Sequence, residues 1–308
     1  MLNRRILRIK VFKEIYAVRM GSTSSLSRAC AQLDEALEST RDLYLFMMAF
    51  IPALTAVAAD RLKQLELKVN KSEQERNPNR RFADNSLAAL LNSDPDFAKI
   101  LKKKKLVWGA YDLILRKIYA SVAEKDYFLE YMQAPKSSLK DDCRLFTRIF
   151  EEEIVDREDL ETALEEGSIY WNDDLAYSLT CCCTTLADIA AGRPWRLPDL
   201  YLSDTDKTLD DDNVFVHKLL REAYANYGEY SEAVSEAVKG WEKDRLVATD
   251  VALIVTALAE IVHFSDIPLN VTLNEYVEIS KYYGTPKSSV FVNGILDALS
   301  KKEQFKKK

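Results

Sequence analysis

Glycine, proline and histidine are scarce in this chain, which has eight, eight and two of them among 308 residues. Because few residues would end a helix and long runs carry apolar residues at helical spacing, the sequence predicts an all-α protein. The two histidines, His217 and His263, lie in separate segments without motif partners nearby. Phosphate-binding, dinucleotide-binding and nucleophile-elbow patterns are also absent from the sequence. We therefore expect a protein that is not an enzyme and that carries no cofactor.

The five cysteines do not form a metal-binding or disulfide pattern. Three of them, Cys181, Cys182 and Cys183, are consecutive, so their side chains would point in three directions around a helix. A zinc site needs thiolates that converge, as in a C-x-x-C pair. We expect these cysteines to be small buried hydrophobes. Together with an N-terminus unlike a signal peptide, they predict a cytoplasmic protein without a bound metal.

One long apolar run raises the question of a membrane span. Residues Leu43 to Ala59 contain no charge over seventeen positions, which is about the shortest length that spans a bilayer. Pro52 interrupts the run, and Asp42 and Asp60 bound it. We therefore predict a buried helix pair and no membrane partner.

The charge of the chain is unevenly placed. Its net charge of −6 argues against a whole surface that binds nucleic acid. Residues 1–20, however, hold six cations against one acid, Glu14; the cations are Arg4, Arg5, Arg8, Lys10, Lys13 and Arg19. On a helical wheel, Arg8 shares a face with Tyr16 and other apolar residues. Arginine beside aromatic rings suits single-stranded RNA, because bases stack on the rings and guanidinium groups hold phosphates. The alternative is an ordinary basic helix.

Residues 265–299 read as a helix, a stop and a second helix. Gly284 would end the first helix, and Thr285 and Pro286 would be the N-cap and first residue of the next. Gly294 lies inside that last helix, which suggests that another backbone comes close. The apolar positions that we expect to face a core are Val271, Leu273, Tyr276, Val277, Ile279, Phe291, Ile295 and Leu299.

The start of the last helix is a second candidate for phosphate binding. Free N–H groups at a helix start attract phosphate, and the Ser288 hydroxyl and the charges of Lys281 and Lys287 lie beside them in sequence. The alternative is that the two tyrosines of this segment are core residues and that Lys287 only aids solubility.

Three segments together resemble the NusB family of bacterial transcription antitermination factors. They are the run F-V-N-G-I-L-D at residues 291–297, the arginine-rich start at residues 4–8, and W-E-K-D-R-L at residues 241–246 with L-A-E-I at residues 258–261. The resemblance implies a NusB-like helical core built from residues 1–20 and 211–300. Residues 21–210 would then be a helical insert, and residues 301–308 a basic tail.

The resemblance also implies a function. It suggests an RNA-binding factor that recognises a boxA-like RNA element together with the ribosomal protein that doubles as NusE, in the transcription elongation complex. The predicted RNA-binding residues are Arg4, Arg5, Arg8, Tyr16, Lys281, Lys287, Ser288 and Phe291. The alternative function is a helical protein–protein scaffold in ribosome assembly without RNA preference.

Part of the insert can be aligned with part of the C-terminal core. Residues 141–189 can be laid on residues 211–261, first with an offset of seventy residues and then with a slip of two. Trp171 falls on Trp241, and we expect each of these tryptophans to be buried in its own segment. The matched apolar pairs include Phe146 with Val216, Ile149 with Leu219, Phe150 with Leu220 and Leu164 with Val234. Either the insert is a degenerate second copy of the core, or two helical hairpins share a generic period.

Overall fold

The computed structural model describes residues 3–22, 25–136, 138–171, 173–197, 210–238 and 247–305, and these contain helices and no strand, which confirms the all-α prediction. The helices of the first half are α1 Arg4–Arg19, α2 Leu26–Glu66, α3 Glu73–Arg76, α4 Ser86–Asn92, α5 Pro95–Lys104, α6 Asp112–Ala123 and α7 Asp126–Gln133. Those of the second half are α8 Leu139–Ile149, α9 Glu158–Gly167, α10 Leu175–Ala190, α11 Asp210–Ala225, α12 Tyr227–Ala237, α13 Ala248–His263, α14 Leu269–Tyr283 and α15 Ser288–Ser300.

The chain divides into two compact units. The terminal unit comprises Met1–Glu38 and Asp199–Lys308, and the inserted unit comprises Ser39–Pro198. The terminal unit is therefore wider than the core of residues 1–20 and 211–300 that the sequence suggests, and the independence of that smaller core stays a prediction. The difference arises because the first part of α2 packs with the terminal unit.

Helix α13 is the centre of the terminal unit. Every residue from Ala252 to Val262 is buried, and α1, α11, α12, α14 and α15 all pack against this helix. A helix that is apolar on all sides needs such complete cover. After α15, Phe305 is also fully buried and packs on the ring of Tyr230 at 5.6 Å, so part of the predicted basic tail belongs to the core.

A buried ion pair fixes α1 on α13. The guanidinium of Arg8 on α1 donates two hydrogen bonds to the Glu260 carboxylate on α13, each of 2.8 Å. From α14, Thr272 Oγ1 donates a third at 2.8 Å and the Tyr276 hydroxyl a fourth at 3.2 Å. Arg8 is 4% exposed and Glu260 is 0% exposed. The carboxylate is thus fully satisfied by two helices that are far apart in sequence.

The apolar run of the insert forms one helix, so the prediction of a helix pair is wrong. Residues 43–59 lie inside α2, which continues through Pro52, and the Thr55 hydroxyl donates to the Pro52 carbonyl at 3.0 Å. Proline inside a helix costs about 3 kcal/mol or more. Burial offsets that cost: Trp108 stacks on Phe46 at 4.5 Å and donates its indole N–H to the Phe46 carbonyl at 2.8 Å.

Helix α2 is also long and apolar enough to cross a membrane. Of its most apolar stretch, however, 72% is buried within the protein. Packing of the inserted unit therefore accounts for its composition, as we expected for a core helix.

The inserted unit repeats the helix order of the terminal unit. Helix α8 with the π-helical residues Phe150–Ile154, then α9 and α10, matches α11, α12 and α13 at the offset that the sequence suggests. The paired residues Phe146 and Val216, like Ile149 and Leu219, are all 0% exposed. These matches support an internal duplication, which stays a prediction.

The two tryptophans do not decide the question of duplication. Trp171 is only half-buried. It packs on Phe46 of α2 at 5.3 Å, and its ring also lies beside its own hairpin, 3.6 Å from a Cβ built on Gly167 of α9. Its indole N–H donates to the Ser39 carbonyl at 3.1 Å. Trp241 lies outside the described residues.

The buried ion pair provides a stability test. Replacing Arg8 by Met leaves the Glu260 charge buried without its main partner, which should cost about 3–5 kcal/mol of unfolding free energy. Arg5, which like Arg8 lies on α1, makes a similar two-point pair with Glu275 of α14, but the Arg5 side chain is 42% exposed. We expect Arg5→Met to cost about 1 kcal/mol or less. Urea unfolding of both variants measures the difference, and equal losses would show that burial of the pair is unimportant.

A second carboxyl group in α1 makes stability depend on pH. Burial, helped by the nearby charge of Glu35 and opposed by that of Lys10, raises the pKa of Glu14 to about 7. The folded state therefore holds this proton more tightly than the unfolded state does. As pH rises from about 4.5 to about 7, the protein should lose up to about 3 kcal/mol of unfolding free energy through this group.

The variant Glu14→Gln tests this pH dependence. It should unfold at a higher urea concentration than the parent at pH 8, and the difference should shrink towards pH 4.5. Glu35→Gln is the control, because it removes only the repulsion and keeps the buried carboxyl. If Glu14→Gln gave the same change in stability at both pH values, Glu14 would not titrate in this range.

Candidate nucleic-acid interface

The arginines at the start of α1 lie on the rim of the terminal unit. Arg5 donates two hydrogen bonds to Glu275 on α14, of 2.8 and 2.7 Å, and this contact holds the pKa of Glu275 below its ordinary value. The guanidinium of Arg4 lies over the ring of Phe215 at 4.3 Å, and its Nε lies 3.5 Å from Asp212. Both arginine side chains are 42% exposed. They can reach a phosphate, but nearby acids already offset part of their charge.

Arg8 does not lie on this rim. Its guanidinium is buried against Glu260, as described above, so the expected role of Arg8 as an RNA contact does not fit the structure. A buried acid that lies 252 residues away explains a cation on the apolar face of α1.

Helices α1 and α14 run side by side in the same direction. Arg5 meets Glu275, and seven residues further along α1 the ring of Phe12 meets the edge of Tyr283 at 5.5 Å. The Lys13 ammonium lies over the same Tyr283 ring at 5.3 Å, and Tyr16, one turn later, is half-buried. At 1.5 Å per residue, the paired stretch is about 10 Å long. Cations and aromatic rings therefore follow each other along the α1–α14 seam.

The last helix begins later than the sequence suggests. Residues 285–287 form a turn, closed by a hydrogen bond from the Ser288 N–H to the Thr285 carbonyl at 2.9 Å, and regular helix starts at Ser288. Gly284 is needed at this turn, because an added Cβ would lie 2.7 Å from the Ser280 carbonyl oxygen. The predicted N-cap at Thr285 and first helical residue at Pro286 are therefore wrong.

Ser288 supports the turn from inside. Its hydroxyl accepts a hydrogen bond from the Thr285 N–H at 2.8 Å and donates one to Asp250 of α13 at 2.9 Å. Burial raises the pKa of Asp250 above its ordinary value, although the hydrogen bond from Ser288 acts in the opposite direction. Ser288 is 1% exposed. Its predicted contact with phosphate therefore does not fit this arrangement.

Phe291 and Gly294 also differ from expectation. Phe291 is 7% exposed and belongs to the core, so its ring is not available to stack on a base. No described atom outside the helix itself comes within 4 Å of a Cβ built on Gly294, so the predicted close approach of a backbone is wrong. Gly294 and its neighbour Asn293 instead face solvent, as does Val290, which is 74% exposed.

Exposed residues flank the turn between α14 and α15. Lys281 pairs with Glu278, Lys287 precedes the first residue of α15, and Tyr282 is 80% exposed. We call Lys281, Tyr282 and Lys287 the turn surface. Tyr282 lies in the segment that the sequence suggests for phosphate binding, but it is not among the predicted RNA-binding residues, and its exposure excludes the alternative that it is a core residue.

The prediction of which α14 residues face the core is also partly wrong. Val271 is 40% exposed, whereas Thr272 and Ser280 occupy buried positions. Thr272 fits there because its hydroxyl donates to Glu260, and Ser280 because its hydroxyl donates to the Val277 carbonyl at 2.7 Å. Apolar periodicity alone cannot identify polar residues whose hydrogen bonds are satisfied inside the core.

Comparison with known protein families identifies a related set of proteins. The model of the NusB family matches residues 188–301. A transcription antitermination protein NusB from Geobacter sulfurreducens is 34% identical over 113 residues, which cover 37% of this chain and 82% of that protein. No solved structure matches the chain.

Two further relatives carry the same name. The protein from Alkaliphilus oremlandii is 37% identical over 82 residues, covering 27% of this chain and 59% of the relative. The protein from Methylacidiphilum infernorum is 39% identical over 90 residues, covering 29% and 63% respectively. This chain thus covers less than two thirds of these two relatives, but most of the Geobacter protein. On these matches and its all-α terminal unit, the chain belongs to the NusB family.

Proposed function

We propose that this protein is a cytoplasmic, non-catalytic transcription antitermination factor that binds a boxA-like single-stranded RNA. The observation that carries the proposal is its membership of a family whose matched relatives are named transcription antitermination proteins. The exposed cations and aromatic rings of α1, α14 and α15 support an RNA surface on the same part of the chain.

The proposed RNA surface consists of the α1–α14 seam and the turn surface. Tyr282 offers an exposed ring on which a base can stack, and Lys13 lies beside the half-buried Tyr283. No side chain of the described residues caps the first turn of α15. The Ser288 N–H already donates to the Thr285 carbonyl, but the N–H groups of Ser289 and Val290, together with Lys287, can hold a phosphate.

The predicted residues divide into two roles in this proposal. Arg4, Arg5, Tyr16, Lys281 and Lys287 remain candidate RNA contacts, and Lys13 and Tyr282 join them. The remaining three position this surface from inside: Arg8 holds α1, whereas Ser288 and Phe291 hold the start of α15.

The charge of the chain favours a basic partner. The net charge is −6, and both Arg4 and Arg5 already lie beside acids. A basic protein bound next to the RNA surface would supply the phosphate-neutralising charge that this chain lacks. We propose that this partner is the ribosomal protein that doubles as NusE, within the transcription elongation complex.

The test is RNA binding by charge and ring variants of the proposed surface. Lys13→Ala combined with Lys287→Ala should weaken binding and lower the slope of log K against log salt by about 1–2. Tyr282→Ala should lose roughly 1–3 kcal/mol of binding free energy through lost stacking. Fluorescence anisotropy with a labelled boxA-like RNA, with and without the basic partner, measures both effects.

A matched control separates these effects from a general loss of charge. Lys102→Ala combined with Lys103→Ala removes two exposed cations from the inserted unit and should leave RNA affinity unchanged. All three variants alter surface side chains, so their melting temperatures should stay near that of the parent. If the parent and the Lys13 and Lys287 variant bound RNA equally, the RNA surface would lie elsewhere on the chain. If the parent itself showed no preference for the boxA-like RNA, the scaffold function would be favoured.

A further inference from the structure

The inserted unit has an open groove between α8 and α10, with a volume of about 610 Å³. Its apolar lining comes from Cys143 on α8 and from Leu186, Ala187 and Ala190 on α10, together with the aliphatic part of Thr147. Leu186 and Cys143 are buried, whereas Ala187 is exposed. The small alanines leave room for side chains that enter from outside.

One wall of this α8–α10 groove is basic. Lys140, Arg144 and Arg148 follow each other at intervals of four residues along α8, and all three line the groove. Their side chains are well exposed, at 66% for Arg144 and 52% for Arg148. No acidic residue is among the described residues that line the groove. Two of these cations have acidic partners outside the groove lining: Asp141 lies 3.9 Å from the Arg144 guanidinium, and Glu152 accepts a hydrogen bond from Arg148 at 2.9 Å. These acids offset part of the positive charge of the wall.

The terminal unit shows one contact that the corresponding surface makes there. At the offset of the repeat, Thr147 corresponds to His217 and Ala187 to Ala259. Ala259 is 0% exposed, and the His217 ring lies 2.9 Å from the Asp34 carboxylate of α2. In the terminal unit, a helix therefore presents an acid to the wall that α11 forms. In the inserted unit, the equivalent wall and floor line an open groove. Arg144 stands where the terminal unit has Val214, whereas Arg148 corresponds to a cation there as well, Lys218.

We propose that the α8–α10 groove binds one amphipathic α-helix of a partner protein. Apolar side chains of that helix enter the floor beside Ala187 and Ala190, and aspartates or glutamates along one flank face Lys140, Arg144 and Arg148. The groove is thus a protein-docking surface of the inserted unit, separate in chemistry from the RNA surface of the terminal unit. Specificity comes from two matches: the apolar residues of the partner helix must fit the groove floor, and its acidic flank must face the basic wall.

The experiment uses the full chain and a synthetic probe. The probe is a labelled, helix-stabilised peptide of about 20 residues with leucines along one face and glutamates beside them, long enough to hold a helix. A second peptide carries lysine in place of every glutamate. Fluorescence anisotropy should show that the parent binds the acidic peptide and prefers it to the basic peptide by roughly tenfold, the effect of about 1.4 kcal/mol.

Two variants separate seating in the groove from simple charge attraction. Lys140→Glu combined with Arg144→Glu should reverse the preference between the peptides. Ala187→Arg adds a cation at the groove floor but fills it, so it should weaken binding of the acidic peptide. Simple charge attraction would instead strengthen that binding. Arg116→Glu is the matched control, because Arg116 is an exposed arginine of the same unit that pairs four residues away with Asp112, as Arg148 pairs with Glu152.

The outcomes that overturn the proposal are distinct. Equal affinity for the two peptides, or tighter binding by Ala187→Arg, would show that the groove does not seat an acidic helix. Displacement of the acidic peptide by a single-stranded RNA, with RNA affinity reduced in the Lys140 and Arg144 variant, would assign the groove to nucleic acid. Circular dichroism of each variant confirms that the helices are intact, since the altered side chains are exposed.

Discussion

The burial of one carboxylate, that of Glu260, sets the arrangement of the terminal unit. Most of the other contacts of α13 are apolar, and apolar contacts tolerate many rotations and shifts of a neighbouring helix. A buried charge does not tolerate such shifts, because its partners must lie at hydrogen-bond distance and in the correct directions. Helix α1 must therefore hold the position that brings Arg8 to Glu260, and α14 the position that brings Thr272 and Tyr276 to it. Two ends of the sequence are thereby fixed in register against one another.

That register determines what the rest of α1 presents. With Arg8 turned inward, Arg4 and Arg5 reach the rim beside Asp212 and Glu275, and Lys13 lies over Tyr283. One basic helix thus provides a structural cation, two partly neutralised rim cations and one beside an aromatic ring. The N-terminal charge is consequently less available to RNA than the count of arginines suggests. This division of charge is the physical reason for expecting a basic partner next to the RNA surface.

The sequence predicts the secondary-structure elements better than the side-chain contacts between them. The all-α class, two helices separated near Gly284, and the repeated helix order follow from periodicity and from turn residues, both of which are local properties. The inward position of Arg8 depends on Glu260, and the continuation of α2 through Pro52 depends on Trp108 and Phe46, which no local pattern shows. A polar residue such as Ser288 is expected at the surface from the sequence, because its buried partner Asp250 is far away along the chain.

The matched helices of the two units show where corresponding positions stay alike and where they differ. Positions that face the core keep their burial, as Phe146 and Val216 do, although the side chains differ in size. The outer wall changes in character, from His217 beside Asp34 in the terminal unit to Thr147 flanked by Arg144 and Arg148 in the inserted unit. Burial limits change at core positions, since each added or lost methylene is felt there. Exposed side chains on the outer wall have no such packing limit, so they can differ in charge between the two units without a cost in core packing.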